Sequence, residues 1–374
     1  LRLGTTAFGG PAAHIAMMED EVVRRRRWLT RDEFLDYLGA TNLIPGPNST
    51  ELAIHIGHAR AGWPGLVVAG VSFIAPATLI VAAIAWAYVK YGALPEVGGI
   101  LYGVKPVVIA IVAQALWGLG RSAVKTRGLA VLAGAAVLAA ASGMHELLVL
   151  LAAGSACALI QVMSYPSRSS TMAAWAVGAG ASTGSAALTT VSTGAAATAP
   201  PFGLWTLFLV CAKICSVLFG SGYVLLAFLR ADFVQRLGWL TERQLLDAIA
   251  VGQVTPGPVF TTVTFIGYVL GGAAGAATAT VGIFLPAFVF VALSGLLVPR
   301  LRRSPTASAV LDGVNVASLA LMAVVSWQLG RAALVDRFTA VLAVIALFAL
   351  VRYRVNSAWL IGAAGIIGLL AAIR

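Results

Sequence analysis

Charge is scarce in this chain: of its 374 residues only 10% are Asp, Glu, Lys or Arg, while 60% are apolar. A mean hydropathy of +0.92 is far above that of a soluble domain and excludes one. Cysteine is scarcer still, with Cys157, Cys211 and Cys215 the three present. All three lie in apolar segments with no His or acidic residue completing a metal set, so they read as small packing residues. The patterns G-x-x-x-x-G-K-[ST] and H-E-x-x-H are missing. The first absence excludes ATP hydrolysis through a P-loop, and the second weakens any reading as an enzyme. Acidic residues number 14 against 25 Lys plus Arg, a net charge of +11. In an apolar chain that excess points to cytoplasmic loop anchoring, not to nucleic-acid binding. The opening "LRLGTTAFGGP" has neither a Met nor a signal-peptide pattern. It reads as the inside of a helix, so the native N-terminus is expected upstream.

Long apolar runs are present from end to end, among them Val67–Tyr88, Ile100–Leu119, Leu204–Leu229 and Val281–Val298. Several approach the ~20 residues that cross a bilayer as a helix. A β-barrel would show short alternating segments instead. The fold class is therefore an all-α polytopic membrane protein.

The chain also resembles itself. Sliding it by 211 positions lays residues 8–48 on 219–259 without a gap, and thirteen of the forty-one positions are identical. Trp28-Leu29-Thr30 falls on Trp239-Leu240-Thr241, Asp36 on Asp247, and Pro45-Gly46-Pro47 on Pro256-Gly257-Pro258. At a shift of 210 the match continues, with Gly57, Gly65 and Gly103 on Gly267, Gly275 and Gly313. Rare residues in order over this length mark a duplication. The expected organisation is one unit over 1–163, a flexible Ala/Ser/Thr/Gly-rich linker over 164–203, and a second unit over 204–374.

Each unit reads alike. A first helix ends at Phe-Gly-Gly-Pro or Phe-Gly-Ser-Gly, and a charged segment follows. "TRDE" and "TERQ" are capping boxes opening a short helix. That helix runs into Pro-Gly-Pro, which breaks it, and a second short helix follows with Asn48 as its N-cap and Glu51 at N3. Two such short helices predict a re-entrant hairpin with its tip at Pro-Gly-Pro, beside about five transmembrane helices per unit. An odd number of spans predicts that the second unit is inverted. The arginines support this, being dense in loops 19–31 and 121–127 of the first unit and in the alternate loops of the second, at Arg300, Arg302, Arg303, Arg352 and Arg354. Arg230, Arg236 and Arg243 break the pattern.

Broken backbone at membrane depth is tolerated where it lines a cavity, and free helix N-termini suit an anion. The expected substrate site gathers Gly9, Gly10, Asn42, Pro45, Gly46, Pro47 and Asn48 from the first unit. It takes Gly220, Gly222, Gln253, Pro256, Gly257 and Pro258 from the second. Arg2 and its counterpart Lys213 are basic residues in apolar helix, either functional or snorkelling. Asp36 and Asp247, and Glu51 with His55, are candidates for carrying a coupling proton; solvated faces and helix capping are the plainer alternatives. His58 extends the face of Glu51 and His55, yet the second unit has Thr262, Ile266 and Val269 there. A metal is not expected.

The stretches "FGGPAAHIAMMEDE", "RRRRWLTRDEFLDYLGATNLIPGPNSTELAIHIG" and "WLTERQLLDAIAVGQVTPGPV" resemble the chromate ion transporter family over nearly the whole chain. The resemblance implies a multi-pass protein of the cell inner membrane, built of inverted halves, that exports chromate and gives chromate resistance. It implies chromate or a sulfate-like oxyanion and the lipid bilayer as partners, with a homodimer allowed, no nucleic acid and no cofactor. Transport of sulfate or another oxyanion, with uptake as one direction, is the alternative within transport. A membrane-embedded enzyme or structural membrane protein is the alternative of another class.

Overall fold

The computed structural model describes residues 2–6, 10–92, 94–164, 202–219, 222–302, 304–353 and 355–373. Among them every regular element is helical. The expected linker lies outside the described residues from 165 to 201. In the first half the helices are α1 (Arg2–Thr6), α2 (Gly10–Glu19, continued by a π turn, Asp20–Arg25), α3 (Arg31–Thr41), α4 (Asn48–Tyr91), α5 (Pro95–Ala123), α6 (Arg127–Ala141) and α7 (Glu146–Ser164). The second half repeats the order. It has α8 (Leu204–Val217), α9 (Leu225–Leu229, between a 3-10 turn at Gly222–Val224 and a π turn at Arg230–Arg236) and α10 (Glu242–Val254). After a 3-10 turn at Val259–Thr261 come α11 (Thr262–Arg302), α12 (Pro305–Ala333), α13 (Arg337–Tyr353) and α14 (Ser357–Ile373). Five helices are long and apolar enough to cross a membrane, beginning at Asn48, Glu96, Glu146, Val259 and Pro305. They and their neighbours leave large side chains such as Trp117, Trp205, Trp327 and Trp359 exposed, as a lipid-facing surface requires. The chain is a polytopic membrane protein.

The capping boxes form. Thr30 N–H donates to Glu33 at 2.7 Å and Thr241 N–H to Gln244 at 2.9 Å, with the reciprocal bonds at 3.2 Å in both. The segment before each box, expected only as charged, is helical from Gly10 to Arg25 and from Gly222 to Arg236. Pro11 in the first turn of α2 suits that position, where its missing N–H is no loss. Asn48 does not cap. Pro47 occupies the cap position, and its carbonyl accepts from Thr50 and Glu51 N–H at 2.8 and 3.0 Å. The Asn48 amide instead donates across the hairpin to Asn42 at 2.8 Å. Farther down the same two legs, the Tyr37 ring stacks on His55 at 5.7 Å, so the legs run antiparallel about Gly46.

α4 and α11 each bend back sharply. Ala61 and Gly62 take φ of −145° and 59°, and Gly271 and Gly272 take −144° and 60°. At a positive φ with such an extended ψ, glycine alone is comfortable. Beyond the bend, Gly65 returns to Gly57 and Gly275 to Gly267, backbone against backbone. Eight residues of straight helix would hold such pairs about 12 Å apart. The first legs, 48–60 and 259–270, therefore belong to the hairpins.

Packing interleaves the halves. α5 lies against α13 and α14 of the second half, and α12 lies reciprocally against α6 and α7 of the first. Small residues allow these crossings: a methyl on Gly103 would strike the Ala364 carbonyl, and one on its counterpart Gly313 would strike that of Ala153. Tyr102 on α5 also donates to Asp336, the residue before α13. The Thr339 amide, then the Tyr102 hydroxyl, hold the Asp336 carboxyl below its ordinary range.

Candidate functional site

The two Pro-Gly-Pro turns do not point into their own halves. Gly46 N–H donates to the Leu218 carbonyl at 2.8 Å, just where α8 ends. Gly257 packs against Ala77 of α4 and the Gly4 carbonyl of α1. Each tip is thus seated on the broken first helix of the opposite half. Both tip glycines have positive φ, 134° and 92°. Within the first half, His14 in the middle of α2 lies 3.4 Å from the Ser49 hydroxyl at the start of α4, and both are buried. The start of α4 is thus packed against α2. In the second half the turns at 222–224 and 259–261 lie side by side. Gly9 and Gly220 lie outside the described residues; Gly10 and Gly222 open the helices that follow the breaks.

Glu51 is wholly buried, and neither carboxylate oxygen has a hydrogen-bond partner among the described residues. Its Oε1 lies over the face of Gly46 that a side chain would occupy, beside the Cys215 thiol of α8. An unpaired ionised carboxylate in such a place costs several kcal/mol. His55, one turn on, is buried as well, and its Nε2 has no partner among the described residues. Hairpin two carries no such acid: the equivalent Thr262 turns its hydroxyl back to the Val259 carbonyl at 2.8 Å.

The two aligned aspartates differ. Asp36 is exposed on α3. Asp247 is buried, 2.8 Å from Lys105 of α5 and 2.8 Å from the Tyr88 hydroxyl of α4. This pair ties hairpin two to the first half. Lys105 was missed in the sequence, although a lone lysine in an apolar span is the same signal that singled out Lys213.

The aligned cations, Arg2 and Lys213, behave alike. Arg2 lies 3.9 Å from Glu21, and Lys213 lies 2.6 Å from Asp232, its buried counterpart. Arg236 shares Asp232 and reaches His145 at 2.7 Å. Arg230 pairs with Glu242 at 2.6 Å. Arg230, Arg236 and His145 line a polar cavity of about 510 Å³, together with Glu146, Gln235 and Gln328. Of the three arginines that break the loop-charge pattern, Arg230 and Arg236 are thus ion-paired. Gln253 is half-buried near the end of α10, with its amide nitrogen unpartnered among the described residues. Pro256 and Pro258 are buried beside Gly257.

The sequence profile described as "Chromate transporter" matches residues 1–160 and 205–369. The chain is 32% identical to the chromate transport protein of Cupriavidus metallidurans, over 99% of this chain and 91% of that one. It is 32% identical to a probable chromate transport protein of Synechococcus elongatus, over 93% and 87%. A chromate transport protein of Pseudomonas aeruginosa is 31% identical, over 88% and 79%. No solved structure matches the chain.

Proposed function

The chain belongs to the chromate transporter family, and on that premise we propose that it is a secondary transporter exporting chromate across the cell inner membrane. Export of this kind gives the cell resistance. The observation that carries the reading is the reciprocal seating of two Pro-Gly-Pro tips on the broken helices of opposite halves. A tetrahedral dianion suits converging helix N-termini, which offer free N–H groups and positive dipole ends. Rocking of one half against the other would expose those ends to each side in turn. Sulfate has the same shape and charge, so sulfate transport is the second reading.

In this proposal the units 1–163 and 204–374, joined by the 164–203 linker, are inverted copies. The substrate meets Gly9, Gly10, Asn42, Asn48 and the Pro45–Pro47 tip from one copy. From the other it meets Gly220, Gly222, Gln253 and the Pro256–Pro258 tip. Lys213, held by Asp232, and Arg2, held by Glu21, supply positive charge nearby. Glu51 carries the coupling proton, with His55 on the same helix face and Cys215 opposite. Asp247 serves as a lock between halves rather than as a coupling group.

Purified protein in proteoliposomes tests this directly. Wild type is expected to move chromate down an imposed gradient, with sulfate competing to the extent that the site is shape-selective. Glu51→Gln, nearly isosteric, is expected to bind chromate yet lose the dependence of flux on pH. No flux from well-folded wild type would leave an enzyme or structural role; unchanged pH dependence in Glu51→Gln would remove the acid as the coupling group.

Inversion has its own test. Single cysteines introduced into the 230–240 loop are expected to label from outside in intact cells, and those in the 19–31 loop only after permeabilisation. Labelling of both from one side would leave the halves parallel.

A further inference from the structure

A second cavity, of about 390 Å³, opens between α1, the π turn after α2 and the two legs of α4. Its walls are apolar: Leu3, Met18, Val22, Ile56, Val68 and Phe73. Its rim is basic. Arg2, Arg26 and Arg60 stand there against the single carboxylate of Glu21, an excess of two positive charges. Arg26 binds Glu21 at 2.6 Å and lies over the Trp28 ring at 4.9 Å. Arg60 approaches the same ring at 5.7 Å, and no carboxylate pairs with it among the described residues. Trp28 is exposed here, as aromatic side chains are at a membrane–water boundary.

The shared unit does not require this arrangement. The counterparts of Arg26 and Arg60 are Leu237 and Leu270, and the counterpart of Trp28, Trp239, is packed against Phe202 and Phe233. Two of the three rim arginines, Arg26 and Arg60, thus have no basic counterpart in the other half. A small oxyanion would be poorly housed by walls of Leu, Met, Val and Phe, because it has no apolar part to place there. An amphipathic anion matches both regions, and basic pockets between membrane helices suit anionic headgroups.

We propose that this cavity binds one anionic phospholipid of the bilayer, with its phosphate on Arg26 and Arg60 and an acyl chain along the slot beside Val68 and Phe73. The site is separate from the Pro-Gly-Pro tips and shares with the proposed substrate site only Arg2 and Glu21, which the variants below leave in place, so it stands whether or not chromate is the transported ion.

The test is lipid retention by the purified, delipidated full chain, read by native mass spectrometry. Dioleoyl phosphatidylglycerol is expected to bind at one tight site per chain, and dioleoyl phosphatidylcholine not to. The Arg26→Gln/Arg60→Gln variant is expected to weaken that binding by roughly 30-fold, about fivefold per arginine. Arg24→Gln/Arg27→Gln, which removes equal charge outside the cavity, is expected to leave the tight site in place. Val68→Trp keeps every charge and fills the slot, so it is expected to block binding even if the arginine variant fails to fold. Sodium sulfate and glycerol phosphate, which carry the anion without a chain, are expected not to displace the lipid. Equal retention of phosphatidylcholine, full binding by Val68→Trp, an unaffected Arg26→Gln/Arg60→Gln variant, loss of the site in Arg24→Gln/Arg27→Gln, or displacement by either small anion would each overturn the proposal. Sulfate displacement would mark the cavity as an oxyanion vestibule.

Discussion

Gly46→Ala and Gly257→Ala are each expected to insert into the membrane normally and to lose transport. Both glycines sit at positive φ, 134° and 92°, where a side chain costs on the order of 1–3 kcal/mol in backbone strain. Contact adds to this. A methyl on Gly257 would come within 2.6 Å of the Ala77 methyl, which is fixed to the backbone of α4 and cannot yield. A methyl on Gly46 would meet the Glu51 carboxylate, the end of a side chain, but one enclosed on every side. The tip is therefore pushed off the helix it is seated on, and the Gly46–Leu218 hydrogen bond goes with it. The larger change, Pro45-Gly46-Pro47 to three alanines, removes ~3 kcal/mol of helix penalty per proline and ~1 for the glycine. It should drive α3 and the 48–60 leg toward one continuous helix, pulling Tyr37 away from His55. The measurements are flux in proteoliposomes and the amount of folded protein by size-exclusion chromatography. Well-expressed variants with full flux at both glycines would show that Pro-Gly-Pro is only a turn.

Lys105→Met is expected to destabilise the protein by about 3–5 kcal/mol, because it leaves the buried Asp247 carboxylate without its cation. The Tyr88 hydroxyl remains at 2.8 Å, but one neutral donor does not replace an ammonium. Lys105→Met combined with Asp247→Leu is expected to recover most of the loss, since an apolar pair carries no desolvation penalty. Tyr88→Phe should then cost little further, its acceptor being gone. Thermal unfolding in detergent for the four corners of the Lys105/Asp247 cycle gives the coupling directly. A single variant as stable as wild type, or a double variant no better than the single, would mean the pair holds nothing together. At Asp36, exposed and aligned with Asp247, the Asn variant should be near-neutral in stability, within about 0.5 kcal/mol.

Much of the helical architecture was legible in the sequence because it rests on short-range rules. Apolar runs of spanning length, Thr30 and Thr241 with Glu33 and Gln244 three residues on, and two prolines flanking a glycine each fix a local outcome whatever surrounds them. The same locality made Asn48 misleading: it has the chemistry of an N-cap, but the proline before it took the cap position and freed its amide to bridge to Asn42. The duplication was also legible, since it is written in rare residues at a constant offset.

What the tertiary structure decided is which groups meet. No periodicity predicts that Gly46 binds Leu218 of the other half, or that α5 and α12 exchange partners across the duplication. Those contacts join residues far apart in the chain, and close packing selects them through small side chains such as Gly103 and Gly313. The aligned aspartates make the point most sharply. Asp36 and Asp247 occupy one position in the repeat, yet one is solvated and the other buried against Lys105. The residue aligned with Lys105 is Asn315, which offers no cation, and an ionised carboxylate is buried at low cost only where a counter-charge is supplied, here from another helix.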